Sequence, residues 1–166
     1  MGKMGGEDCT AALRALGNGR LSEWHGLVPG CSRAHAEEVL GPSESGPDGT
    51  GRLGGSPTAF RDYPLTSAAP YGITVWFVLD TIVLVQVNSP RLGEPLDRLL
   101  GGPEGTMPSL LAPAHTQWIY ASRGLTAHVH TYRHEVLRLY GCAPTTVEEF
   151  RNSWLSRVEN VRILRQ

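Results

Sequence analysis

Two apolar runs dominate the chain. Residues 73–79 and 82–87 are rich in Val, Ile, Leu, Trp and Phe, and they flank the short break at Asp80-Thr81. β-branched and aromatic side chains favour extended backbone, and a two-residue break between such runs predicts a hairpin. In 73–79 apolar residues occupy both parities, so this strand is expected to be covered on both faces. Weaker strand patterns recur at 58–63, 117–121, 125–132 and 136–140.

Helical spacing is confined to short pieces. Residues 8–16 and 32–40 suit helices ending at Gly17 and Gly41, with Ser32 as a cap of the second. Residues 92–100 predict another, stopped by Gly101-Gly102-Pro103. From Thr146 the positions Val147, Phe150, Trp154, Val158 and Val161 form a stripe at helical spacing. Thr145 with Glu148 reads as a capping box before it. Stretches 42–57 and 103–114 are rich in Gly and Pro and read as loops, the first of them mobile.

The order of elements recurs. A helix ending in Leu-Gly (Leu40-Gly41, Leu100-Gly101) is followed by a loop. Then come a Tyr-containing strand (Tyr63, Tyr120), a Gly-led strand (Gly72, Gly124) and a further strand. The expected fold is therefore α+β: two tandem copies of a short helix plus an antiparallel three-stranded sheet, closed by a C-terminal amphipathic helix. The corresponding divisions are 1–23 (a segment with a short helix), 24–90 and 91–144 (the two copies) and 145–166 (the last helix), all within one compact unit.

This arrangement, over about residues 24–144, resembles the tandem helix-plus-sheet unit of the SmpA/OmlA (BamE-like) lipoproteins and of the β-lactamase inhibitory protein. The resemblance is one of topology. It implies a non-enzymatic role in binding another protein through an exposed sheet face. The chain departs from those proteins in showing no apolar leader after Lys3 and no paired cysteines.

Composition narrows the partners. The 166 residues carry 15 Lys+Arg and 16 Asp+Glu, a formal net charge of −1, which disfavours nucleic acid as a partner. No apolar run approaches the ~20 residues that span a bilayer. Twenty glycines and 12 prolines make roughly a fifth of the chain, a density that shortens helices. Arginine supplies nearly all the basic charge, Lys3 being the one lysine, which reads as a bacterial codon bias. Cys9, Cys31 and Cys142 are widely spaced and odd in number, so reduced thiols and a cytoplasmic location are expected.

Histidines form the one chemical cluster: His115, His128, His130 and His134. His128 and His130, two apart on a strand, would share a face and offer two imidazoles to one metal, with His115 as a third ligand and zinc as the cofactor. Solvent-facing rings are the plainer reading, and a Cys142–His134 pair is a weaker catalytic alternative. Aromatic and Arg side chains carry the binding case: Trp76, Trp118, Tyr120, Tyr71 and Arg123. The function expected is thus a small, immunity- or inhibitor-like module that binds another protein, without cofactor, a homodimer being an open alternative. A His-based metal enzyme and a small-molecule binder with an aromatic-lined pocket are the competing readings.

Overall fold

The structure is a computed structural model that describes residues 9–10, 14, 30–40, 49–63, 72–153, 156 and 161–163. Nine strands among these residues form one antiparallel sheet. In chain order they are β1 (Gly49–Leu53), β2 (Ser56–Tyr63), β3 (Ile73–Val78), β4 (Thr81–Asn88), β5 (Gly105–Pro108), β6 (His115–Tyr120), β7 (Leu125–His130), β8 (Val136–Gly141) and β9 (Val161–Ile163). Among the described residues the helices α1 (Arg33–Leu40), α2 (Leu96–Leu100) and α3 (Val147–Asn152) accompany them. The sheet order is β5-β6-β7-β8-β4-β3-β2-β1-β9. Strands β1–β4 make one meander and β5–β8 another, and they meet where β4 pairs with β8.

This corrects the expected α+β fold of two tandem copies. A single large sheet replaces two three-stranded ones, and the helices among the described residues run only eight, five and six residues. The Leu-Gly and Gly-led words that suggested an internal repeat are the ordinary punctuation of short elements. The arrangement implied by the BamE-like resemblance is accordingly not the one observed.

The extended runs form strands as their composition requires. The β3–β4 turn falls one residue earlier than the break at Asp80-Thr81 suggests. Leu79 and Asp80 take positive φ (49° and 59°), as a tight two-residue hairpin demands of both turn positions. Asp80 is fixed there by an ion pair with Arg33 (2.9 Å), and Arg33 also lies over the Phe77 ring. Three strands were not anticipated. β1 and β5 fall in the Gly- and Pro-rich stretches read as loops, and β9 falls in the expected last helix. β5 and β9 are the edge strands, and β1 lies one place in. Short edge segments draw their order from the neighbour they pair with more than from their own apolar pattern.

Burial explains the two-parity apolar pattern. One face carries Ile73, Val75, Phe77, Val85, Val87, Trp118, Tyr120, Leu125, Ala127 and Leu139, packed with Ala36 of α1 and Leu96 and Leu100 of α2. The other carries Phe60, Trp76, Leu84, Ile119, Tyr140 and Cys142, packed with Phe150 of α3. α1 starts as expected, the Ser32 hydroxyl accepting from the His35 N–H. α3 is capped by Thr146, which accepts from the Glu149 N–H, so the cap sits one residue beyond the expected Thr145–Glu148 box. The stripe expected to run through Val161 ends at Asn152. The Ser153 and Ser156 hydroxyls bind the carbonyls of Phe150 and Arg151, and such side-chain bonds compete with helix continuation. Trp154 and Val158 lie outside the described residues.

Cys9 and Cys31 are joined in a disulfide, and Cys142 is free and buried. The wide, odd spacing concealed this pairing because contact across 22 residues is decided by packing. Cys31 is placed for it by bonds to β4: its carbonyl accepts from the Ile82 N–H, and the Gly30 N–H donates to the Ile82 carbonyl.

Gly124 closes the 3-10 turn of residues 121–123 at φ +66°, with the Cys142 carbonyl 2.1 Å from where a Cβ would stand. A clash with backbone cannot be relieved by a rotamer change. Gly124→Ala is therefore expected to destabilise the fold by more than ~2 kcal/mol in urea unfolding.

Candidate functional site

An open groove of about 970 Å³ lies between residues 89–98, which lead from β4 into α2, and residues 132–137, which form the β7–β8 turn and the start of β8. Tyr132 stands 85% exposed on one wall. Arg91, Arg98 and Arg133 are balanced along the lining by Glu94, Asp97 and Glu135. The turn is built by backbone bonds: the His130 N–H donates to the Glu135 carbonyl, the His134 N–H to the His130 carbonyl, and the Thr131 N–H to the Ala114 carbonyl. The His134 ring sits edge-on to Trp118 at 5.2 Å.

His134 is thus set apart from the other three histidines, which stand on the opposite face of β6 and β7. His115 is opposite His130 across β6 and β7, with ring centroids 5.2 Å apart. His115 Nδ1 is hydrogen-bonded with the Pro113 carbonyl, and His130 Nδ1 accepts from the Tyr132 and Arg133 N–H groups. His128 is buried and shares a 2.7 Å hydrogen bond, through Nδ1, with the Ser109 hydroxyl. The β6–β7 register runs unbroken from His115 opposite His130 to Gln117 opposite His128, so His128 and His130 share a face as the two-residue spacing requires; the bulge beside Val129 is carried by β8. Among the described residues no group of three His, Cys, Asp or Glu side chains is placed to hold a metal. The zinc reading of His128, His130 and His115 therefore has no geometric support. The Cys142–His134 pair fares no better. Cys142 is buried beside Tyr140 and Phe150, and burial pushes its thiol up to about 12, leaving it protonated and unreactive.

The aromatic candidates are not gathered on one exposed face. Trp76 is fully buried in the α3-side cluster, its ring 5.0 Å from Phe60. Trp118 and Tyr120 belong to the cluster on the other face. The Tyr120 hydroxyl donates to the Gly101 carbonyl, and burial, with Asp97 nearby, pushes it up to about 12. Arg123 is half-buried in the 3-10 turn, and Tyr71 lies outside the described residues.

A second polar feature crosses the middle of the sheet. Strand register aligns Asn88, Arg138, His128 and Gln117 in one row, and Asp62, Thr74, Gln86, Tyr140 and Thr126 in the next. Residues directly opposite in antiparallel strands share a face, so both rows face the same way. They are tied together. Arg138 Nε donates to Asn88 Oδ1 (2.8 Å) and Nη1 to the Tyr140 hydroxyl (3.0 Å), while the Thr74 hydroxyl donates to Asp62 (2.6 Å). The Gln117 amide donates to Thr126 Oγ1 (3.0 Å). Sequence reasoning missed this face. Its available signal was Gln86 standing alone inside the apolar run 82–87.

No protein-family model and no curated protein matches the chain. A crystal structure of a DUF4309 family protein (YjgB) from Bacillus subtilis is similar at a TM-score of 0.46, with 12% identity, covering 81% of this chain and 95% of that one. At that level the likeness carries no statement about fold or function. Among the described residues no helix is long and apolar enough to cross a membrane.

Burial, with the Arg138 and His115 charges beside it, lowers His128 to about 4. An unfolded histidine titrates near 6.5, so between about pH 6.5 and 4 the unfolded chain binds a proton that the folded chain does not. The stability that His128 supports is whole above about pH 6.5 and falls by ~3 kcal/mol on acidification to pH 4. Urea unfolding across that window should show the decline in wild type and a shallower one in His128→Asn. Equal slopes would contradict the assignment.

Proposed function

We propose that this chain is a non-enzymatic protein-binding module, and that the groove between residues 89–98 and 132–137 takes an extended segment of its partner. The observation that carries the reading is the groove's form: about 970 Å³ and open to solvent, with Tyr132 85% exposed on its wall. A site for a small molecule usually encloses its ligand, whereas an open trough suits a polypeptide. Tyr and Arg are the side chains that anchor protein interfaces, and Arg91 and Arg133 flank the trough with Tyr132. Its balanced charges favour a partner segment of mixed polarity. The Cys142 thiol, kept protonated by burial, is not a ready nucleophile.

The Cys9–Cys31 disulfide supports an oxidising compartment in place of the cytoplasm expected from cysteine spacing. Intact mass after alkylation, with and without prior reduction, tests the bridge: two further alkylated thiols should appear only after reduction. Alkylation of all three cysteines in the native, unreduced chain would refute it.

Selection of a random displayed-peptide library on the purified chain tests the groove. Selected peptides, resynthesised and measured by calorimetry, should bind Tyr132→Ala at least about tenfold more weakly than wild type, as the loss of a central aromatic anchor predicts. Selected peptides that bind Tyr132→Ala and Arg133→Ala as tightly as wild type would overturn the assignment.

A further inference from the structure

The β7–β8 turn carries one wall of the groove, and a histidine holds it. His130 Nδ1 accepts from the Tyr132 N–H (3.3 Å) and from the Arg133 N–H (3.0 Å). Both donors are backbone groups, so Nδ1 keeps its lone pair and the hydrogen of the neutral ring sits on Nε2. These bonds fix two residues of the wall, one of them the exposed Tyr132. The same turn holds His134 at φ 58°, a conformation that L side chains rarely adopt. A strained turn at the surface keeps its shape only through such bonds.

One chemical event undoes them. An imidazolium carries a hydrogen on each nitrogen and accepts nothing. Protonation of His130 therefore sets an N–H against two backbone N–H groups. The other histidines beside the groove respond differently. His115 Nδ1 faces the Pro113 carbonyl, so it donates, and that bond survives protonation. His134 is placed by its ring contact with Trp118. Of the histidines beside the groove, His130 is the one whose protonation breaks bonds in the wall.

The groups around His130 set the direction of its titration. Arg133 and Glu135 share its turn and lie 3.9 Å from one another. The His115 ring faces it from β6 at 5.2 Å, and the Tyr132 ring lies 6.2 Å away. One row further along the sheet stand His128 and, opposite it on β8, Arg138. Partial burial, then the Arg133 and His115 charges, hold His130 below the ordinary histidine value, and Glu135 acts the other way. The bonds of the turn are thus whole above about pH 6.5 and are lost as the pH falls through the lower value of the folded chain.

We propose that His130 makes the β7–β8 turn a pH-sensitive wall of the groove: its protonation frees the Tyr132 and Arg133 amides, Tyr132 leaves the wall, and a segment held there at neutral pH is released on acidification. The release rests on the peptide-binding reading of the groove, and the change in the turn does not. The frame of the turn endures, because the bonds from the His130 N–H to the Glu135 carbonyl and from the Thr131 N–H to the Ala114 carbonyl are made by backbone alone. The change is local, and raising the pH reverses it.

Two readouts on the full chain separate the change in the turn from the release. The first is nitrogen–proton NMR from about pH 7.5 to 5, following the His130 ring nitrogens and the Tyr132 and Arg133 amides. At the upper end the ring should carry its hydrogen on Nε2. On acidification both amide protons should move upfield, as their acceptor is lost, with the midpoint of the ring. His130→Asn offers an oxygen near the place of Nδ1 and gains no proton, so its amides should stay level. His115→Asn should keep the dependence, its midpoint moved slightly upward by the loss of a neighbouring charge. The second readout is calorimetry with a selected groove-binding peptide free of His, Asp and Glu. Wild type should bind it about tenfold more weakly at pH 5 than at pH 7.5, and His130→Asn should differ by less than about twofold.

Amides that follow the ring in wild type and stay level in His130→Asn support the switch even where no peptide binds. Amides indifferent to the ring, or equally pH-dependent in His130→Asn, overturn the proposal even where peptides bind. A wild-type peptide affinity that is level across the range overturns the release. Should His130→Asn fail to fold, the shared midpoint and upfield movement in wild type and in His115→Asn decide.

Discussion

The pairing of β4 with β8 is the contact on which the rest of the structure depends. Each strand ends a meander, and without its partner each would present an open, apolar edge at the middle of the molecule. Antiparallel pairing from Val85 opposite Gly141 to Asn88 opposite Arg138 satisfies those edges and fuses the meanders into one sheet. The pairing continues past the strand, the Ser89 N–H donating to the Leu137 carbonyl. That contact sets the 89–98 segment beside the 132–137 turn and so makes the groove. The same junction brings Asn88 and Gln86 against Arg138 and Tyr140. The groove and the polar band are both consequences of one strand pairing.

A sheet covered on both faces has little room for polar side chains, yet this one carries a band of them. Buried polar groups are tolerated when their hydrogen bonds are made, and each one unmade costs about 1–3 kcal/mol. Most members of the band comply: Thr126 lies between Gln117 and the Trp118 carbonyl, and Arg138 between Asn88 and Tyr140. The unspent capacity is concentrated on Gln86, Gln117 and the uncompensated Arg138.

Much of the scaffold was legible in the residues themselves. The six strands marked by Val, Ile and aromatic runs all form, and Ser32 caps α1 as its type requires. What escaped notice shares a cause: it depends on partners distant in sequence. β1 and β5 contain Gly and Pro and become strands only because β2 and β6 lie beside them. Val161 continued a helical stripe on paper, but it pairs with Leu53 at the sheet edge. Cys9 meets Cys31 because Cys31 is held against β4. Trp76, Trp118 and Tyr120 have the side chains of binding residues, and their burial follows from a sheet packed on both sides. The isolated Gln86 was visible, but its unpaired oxygen became evident only once Asn88 and Arg138 were placed beside it.

The most direct test of this account is native-state hydrogen exchange resolved by residue. If β4–β8 is the central junction of a single sheet, their paired amides, among them those of Val85, Val87 and Leu139, should exchange together and slowest, at the free energy of global unfolding, with the β5 and β9 edges opening first. Separate protection levels for β1–β4 and β5–β8, with the β4 and β8 amides exchanging as freely as an edge, would contradict it.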